Sequence, residues 1–150
     1  METFRISAKK HSSKLLSSGK ANRWNKDGES VIYTGSSRSL STLELVVHRN
    51  QINPSNEFAV MVISIADEED LFNQILIRDL PKDWRSKQSY STLQQIGSDW
   101  YTSKKSLVLK IPSAVITKEY NYIINTDHPE FLKKIKLIRS EDYFWDKRLF

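Results

Sequence analysis

Residues 31–48 read VIYTGSSRSLSTLELVVH, and the change of pattern inside them decides the fold class. Val31-Ile32-Tyr33 is a short β-branched and aromatic run closed by Thr34-Gly35, which predicts a strand. Ser36 to Ser41 offers several helix N-caps, and Leu40 to His48 carries the first convincing helical repeat. Further along, Phe58 to Ile65 barely alternates and predicts a strand buried on both faces. Asp67 to Gln74 opens with acidic residues suited to a helix N-terminus or a solvated turn. Leu80-Pro81-Lys82-Asp83-Trp84 reads as a turn with an aromatic anchor, and Thr92 to Trp100 as a short helix broken at Gly97. Leu107 to Ile111, Tyr120 to Asn125 and Ile135 to Ile138 complete the strands. Upstream, residues 12–30 are rich in Ser, Lys, Asn and Gly and predict a loop carrying Arg23-Trp24-Asn25. Mostly strands after an early helix argue for an α+β fold with a central, mostly antiparallel sheet flanked by short helices. No repeat, low-complexity tract or linker divides the chain, so one domain is expected over residues 1–150.

A chain of 150 residues can bury a core without staples, and 39% hydrophobic with 27% charged residues is ordinary for a soluble globular protein. The absence of cysteine excludes disulfides, thiolate metal sites and a cysteine nucleophile. Such a chain suits a reducing cytosol. The start, Met1-Glu2-Thr3-Phe4-Arg5, lacks the apolar region of a signal peptide, and Phe58 to Ala66 is too short to span a bilayer. A cytoplasmic protein without membrane contact is therefore expected. The net charge of +5 fits a nucleic acid, a small anionic ligand, an acidic protein partner or simply a solvated basic face. Lys9-Lys10, Lys104-Lys105 and Lys133-Lys134 are scattered and not interleaved with stacking aromatics. Direct nucleic-acid binding is not expected, although a non-catalytic basic nucleic-acid-binding module is a competing reading. No glycine-rich phosphate loop occurs, and His11, His48 and His128 lack zinc-site spacing, so no metal site is expected.

Glu44 is the only charge between Arg38 and His48. On a helix it shares a face with Leu40, Leu43 and Val47, where a carboxylate must be paired, hydrogen-bonded or protonated. An alternative makes it the third helical residue of a capping box begun by Ser41. Arg23, beside Trp24, is a surface residue, stacks on the indole, or is a fork for phosphate oxygens. Tyr33 is either a half-buried packing aromatic or a ligand platform. No spacing rule joins the three.

A longer pattern does. Arg23-Trp24-Asn25 with Gly28, Val31-Ile32-Tyr33-Thr34, and Leu43-Glu44 with His48 resemble the first half of the RES domain. The second half agrees at Leu80-Pro81 with Trp84, Ile96-Gly97 with Trp100, and Pro112-Ser113-Ala114. Asn121-Tyr122, Asn125, His128-Pro129-Glu130-Phe131, Phe144, Asp146 and Arg148-Leu149 follow in order, so the resemblance covers nearly the whole chain. Ala21-Asn22 stands where the family has a glycine pair, a position suggesting close backbone approach or positive φ.

The resemblance implies a fold related to ADP-ribosyltransferases and a bacterial toxin that degrades NAD⁺ by hydrolysis or phosphorolysis. ADP-ribosyl transfer to a protein or nucleotide is the neighbouring activity. It places the family's active-site arginine, tyrosine and glutamate on Arg23, Tyr33 and Glu44. Trp24, Asn25, Ser113, Asn121 and Asn125 are expected as further substrate contacts. NAD⁺ is implied as substrate with no separate cofactor. The implied partners are an Xre-type antitoxin that blocks the site and a second copy in a homodimer.

Overall fold

The apolar run at 58–65 becomes the central support of the sheet. In the computed structural model, which describes residues 1–48 and 57–149, every residue of this strand but Ser64 is buried. The strands are β1 (Glu2–Ala8), β2 (Val31–Gly35), β3 (Phe58–Ile65), β4 (Phe72–Gln74), β5 (Val108–Pro112), β6 (Tyr120–Asn125) and β7 (Ile135–Tyr143). The helices are α1 (Arg38–Val47), α2 (Tyr90–Ser103) and the short α3 (Phe131–Lys134). The seven strands among the described residues join in one sheet, in the order β4-β5-β6-β2-β1-β3-β7. Every pairing is antiparallel except β4 with β5, so the α+β reading with a mostly antiparallel sheet holds.

The sheet is knitted unevenly. β1 pairs with β3 from Glu2–Ser64 to Ala8–Phe58, and β2 pairs with β6 along its whole length. Between β1 and β2 the register holds a single pair, Phe4 with Gly35. α1 sits over this junction. The Ser41 hydroxyl there donates to the carbonyls of Phe4 and Ser37, at 2.9 Å each. A Cβ on Gly35 would lie 2.5 Å from the Ser41 oxygen, so the missing side chain lets the helix settle on the sheet.

Alternation sends side chains to two cores. Val31, Leu109, Ile111 and Ile123 pack under α2 with Trp24, Trp84, Leu93 and Trp100. Ile32, Val108 and Ile124 face the opposite way and join Met61, Ile63 and Ile65. No helix among the described residues is long and apolar enough to cross a membrane.

One strand is added and three local expectations are corrected. Residues 2–8 form a strand that the sequence did not announce, because Phe4 and Ile6 are its only large apolar residues and its partner β3 supplies the ladder. The segment 67–74 turns once at Glu69–Leu71 and then becomes β4, recruited by the edge of β5. Helix α2 runs unbroken through Gly97. Finally, α1 starts earlier than a cap at Ser41 would allow. Ser37 is the N-cap, accepting from the Leu40 N–H at 3.0 Å, so Glu44 lies mid-helix and the capping-box reading falls.

Candidate active site

Glu44 stands one turn beyond the Ser41 anchor, half-buried, with Leu40 below it and Leu43 and Val47 turned outward. Of the three ways to keep a carboxylate on such a face, hydrogen bonding is the one observed. Its Oε1 accepts from the Ser113 hydroxyl at 2.7 Å and from the Asn121 amide nitrogen at 2.6 Å. Ser113 follows β5 and is fully buried. Its oxygen also accepts the backbone N–H groups of Val115 and Ile116, each at 3.0 Å. With both lone pairs taken, the hydroxyl proton has one direction left, toward Glu44. Asn121 lies opposite Gly35 on β2 and Ile111 on β5, which brings its amide under α1. Among the described residues no hydrogen bond reaches Glu44 Oε2.

Arg23 approaches from the loop before β2. Its Nη1 donates to the carbonyls of Trp84 at 3.1 Å and Arg85 at 3.0 Å, and its guanidinium lies 4.7 Å from the centre of the Tyr90 ring. Tyr90, not Trp24, is the stacking partner. Among the described residues no hydrogen bond engages Nε or Nη2, and such an edge can offer two parallel N–H donors to an oxyanion. Arg85 is itself tied down, donating from Nε to the Ala114 carbonyl at 2.8 Å.

Tyr33 supports this loop from below. Its hydroxyl accepts from the Trp24 N–H at 3.2 Å and donates to Asn25 Oδ1 at 2.7 Å. Burial pushes the phenol well above its ordinary value, so it stays protonated and keeps both bonds. Tyr33→Phe should therefore destabilise the fold by about 1–3 kcal/mol by leaving the Trp24 N–H unpaired. Calorimetric melting measures this, and an unchanged Tm would show that water replaces the hydroxyl without loss.

Arg23, Tyr33, Glu44, Trp24 and Asn121 line one two-lobed cleft. The lobes measure about 640 and 800 Å³ and share Arg23, Glu44, His48, Lys87, Tyr90 and Ala114. Both volumes suit a small-molecule site. The remaining expected contacts lie elsewhere. Asn25 is buried, its amide nitrogen donating to the carbonyls of Lys20 and Lys26, so it shapes the loop rather than facing ligand. Asn125 shares a sheet face with Asn121 but lies four residues further along, roughly 13 Å at the rise of a strand. It is fully buried against Tyr101 and Asp127. Both are corrections: a buried amide hydrogen-bonded to the protein is turned away from the cleft. Ser113 likewise acts behind Glu44 rather than at the surface. Trp24 lines the larger lobe but is 2% exposed and belongs mainly to the core.

The structure also adds residues that spacing did not suggest. Arg5, Lys20, Arg85, Lys87 and His48 line the cleft with Arg23, and Glu44 is the one acidic residue among the lining residues. None of these arginines and lysines is paired with a carboxylate among the described residues. They come from β1 and two loops, too far apart in sequence to form a run. Ala21 and Asn22 both line the larger lobe, and neither has positive φ. Asn22 instead pairs backbone to backbone with Asn25, and its side chain accepts from the Arg23 N–H at 2.8 Å.

Residues 3–146 match a family model described as RES domain. The chain is 34% identical over 127 residues to a protein of Yersinia enterocolitica named Toxin Res, covering 85% of this chain and 82% of that one. It is 33% identical over 129 residues to a Sphingobium protein named Prs ADP-ribosylating toxin, covering 85% and 79%. A chain in the crystal structure of the M. tuberculosis MbcT–MbcA toxin–antitoxin complex superposes with a TM-score of 0.76. That match covers 95% of this chain and 83% of that chain at 16% identity, which shows a shared fold.

Proposed function

The chain belongs to the RES-domain family, and from that premise we propose that it is the toxin of a toxin–antitoxin pair that cleaves NAD⁺ at the nicotinamide–ribose bond. One observation carries the reading: among the described residues Glu44 has Oε1 fixed by Ser113 and Asn121 and no partner on Oε2, in a cleft where it is the one acidic lining residue beside five arginines and lysines.

The scissile bond joins ribose C1′ to a positively charged pyridinium nitrogen. When it breaks, the nitrogen keeps the electron pair and nicotinamide leaves neutral. No acid is needed to protonate it, so one carboxylate suffices where most glycosidases use two. Positive charge develops on the ribose, and the open oxygen of Glu44 stabilises it and orients the ribose hydroxyls. Arg23 presents its free edge to phosphate oxygens and so fixes C1′ near the carboxylate. Tyr33 contributes its ring to the floor of the nicotinamide pocket while its hydroxyl holds the Arg23 loop. Water then attacks C1′ to give ADP-ribose and a proton, or inorganic phosphate attacks to give the phosphorylated product.

The neighbouring activity has support in one relative, whose name includes ADP-ribosylating toxin. In that reading a hydroxyl of a macromolecule replaces water at C1′ and the same side chains serve. The toxin role also brings a protein partner, here proposed as an antitoxin of the Xre type that covers the cleft and excludes NAD⁺. Incubating the purified protein with NAD⁺, with and without phosphate, tests the function. Nicotinamide should appear with free ADP-ribose in one case and its phosphate in the other. Label transferred from NAD⁺ to lysate macromolecules instead would favour the second reading, and intact NAD⁺ throughout would end both.

A further inference from the structure

Arg85 touches both sides of the cleft with two different atoms. Its backbone carbonyl accepts from Arg23 Nη1 at 3.0 Å, beside the Trp84 carbonyl, and so helps to fix the guanidinium that comes from the loop before β2. Its side chain reaches the other way, where Nε donates to the Ala114 carbonyl at 2.8 Å. Ala114 follows Ser113, whose hydroxyl donates to Glu44 Oε1 and accepts from the N–H groups of Val115 and Ile116. A circuit of hydrogen bonds therefore runs from Arg23 through Arg85 and the 113–116 turn to Glu44. Among the described residues no other hydrogen bond reaches the Ala114 carbonyl.

A cation that lines a cleft can serve by its charge or by one of its donors, and the geometry favours the donor. Arg23 is held at Nη1 and keeps its Nε–Nη2 edge for a ligand, whereas Arg85 commits Nε to the protein and gives that edge up. The bond it makes is exposed, and an exposed hydrogen bond contributes little to folding stability. Placement is more sensitive. Arg23 and Glu44 come from separate segments, and Arg85 sets how far the turn behind the carboxylate stands from the loops that hold the arginine. A small misplacement between two groups that act on one substrate costs rate without costing the fold.

We propose that Arg85 is a positioning residue, a clasp that sets the spacing between Arg23 and Glu44 through the Ala114 carbonyl and not through its charge. Its effect on turnover rests on the NAD⁺ reading, whereas the clasp itself is tested by hydrogen exchange alone. Glutamine carries Nε2 at the place along the side chain where arginine carries Nε, so Arg85→Gln keeps the donor and removes the charge. Arg85→Met keeps the length and removes both. Wild type and the two variants are assayed for NAD⁺ cleavage, melted, and followed by amide exchange at Val115 and Ile116. Arg85→Met should lower kcat about tenfold, change KM less than about twofold and speed exchange at both amides about tenfold, with Tm within about 2 °C of wild type. Arg85→Gln should stay within about threefold of wild type in kcat and in exchange. A raised KM shared by both variants would make Arg85 an anion contact and overturn the proposal. Wild-type exchange or wild-type kcat in Arg85→Met also overturns it, and an early melt of that variant would make the bond a stability contact instead. Exchange that depends on Arg85 in this way, with NAD⁺ left intact by wild type, would retain the clasp and remove the reaction.

Discussion

Replacing Glu44 by glutamine should lower NAD⁺ turnover by about a hundredfold or more, the scale of a single electrostatic stabiliser, while leaving the melting temperature nearly unchanged. The two effects separate because the two carboxylate oxygens do different work. Oε1 accepts from Ser113 and Asn121, and a glutamine oxygen can accept both bonds in the same place. The open Oε2 is replaced by an NH₂ group, which offers protons and no negative charge to a developing cation. Alanine would be a poorer test, since it strips the acceptor from the buried Ser113 and the half-buried Asn121 and mixes stability with chemistry. Single-turnover NAD⁺ cleavage beside calorimetric melting gives both numbers. Retained turnover in a folded Glu44→Gln protein would remove the carboxylate from the reaction, and an early melt would assign it a mainly structural role.

Gly97→Ala should be the most damaging single-methyl change in the chain. Gly97 is buried in the middle of α2, where the helix meets the backbone of Trp24. An added Cβ would stand 1.7 Å from the Trp24 carbonyl oxygen and 2.7 Å from its carbonyl carbon. Backbone, unlike the end of a flexible side chain, cannot turn aside, so either the helix or the loop must move. Overpacking of this severity costs about 3 kcal/mol or more. For a domain of this size that is a fall in Tm of roughly 6–12 °C. Because Arg23 precedes Trp24, displacement of the loop should also raise KM for NAD⁺ in whatever fraction stays folded. A variant that melts within about 2 °C of wild type would show that α2 and the loop are not held at this distance in solution.

Gly97 also marks a boundary of what the sequence could reveal. Inside a helical pattern an isolated glycine reads as a break, and only the approach of Trp24 shows it to be a packing requirement. Strong local patterns were legible: the caps and repeat before His48, the continuous apolar run at β3, and the strands at β5 and β6. Elements created by a neighbour were not. β1 owes its form to β3, and β4 to the edge of β5. The same division holds at the cleft. Glu44 was visible as a lone charge on an apolar helix, and Arg23 and Tyr33 through the longer motif. Arg5, Lys87 and Tyr90 were not, since each is unremarkable in its own segment and acquires meaning only beside the others. Asn25 and Asn125 erred in the opposite direction: a recurring polar residue serves a loop as readily as a ligand.

The seam between β1 and β2, closed by one residue pair, gives α1 a mechanical task. Through Ser41 the helix is bolted to β1, and through Glu44 to β6 and the end of β5. Two side chains three positions apart therefore act as a cross-brace between the halves of a loosely sewn sheet. The carboxylate proposed to act on substrate is one end of that brace, so any slackening of the seam reaches it without passing through the rest of the cleft.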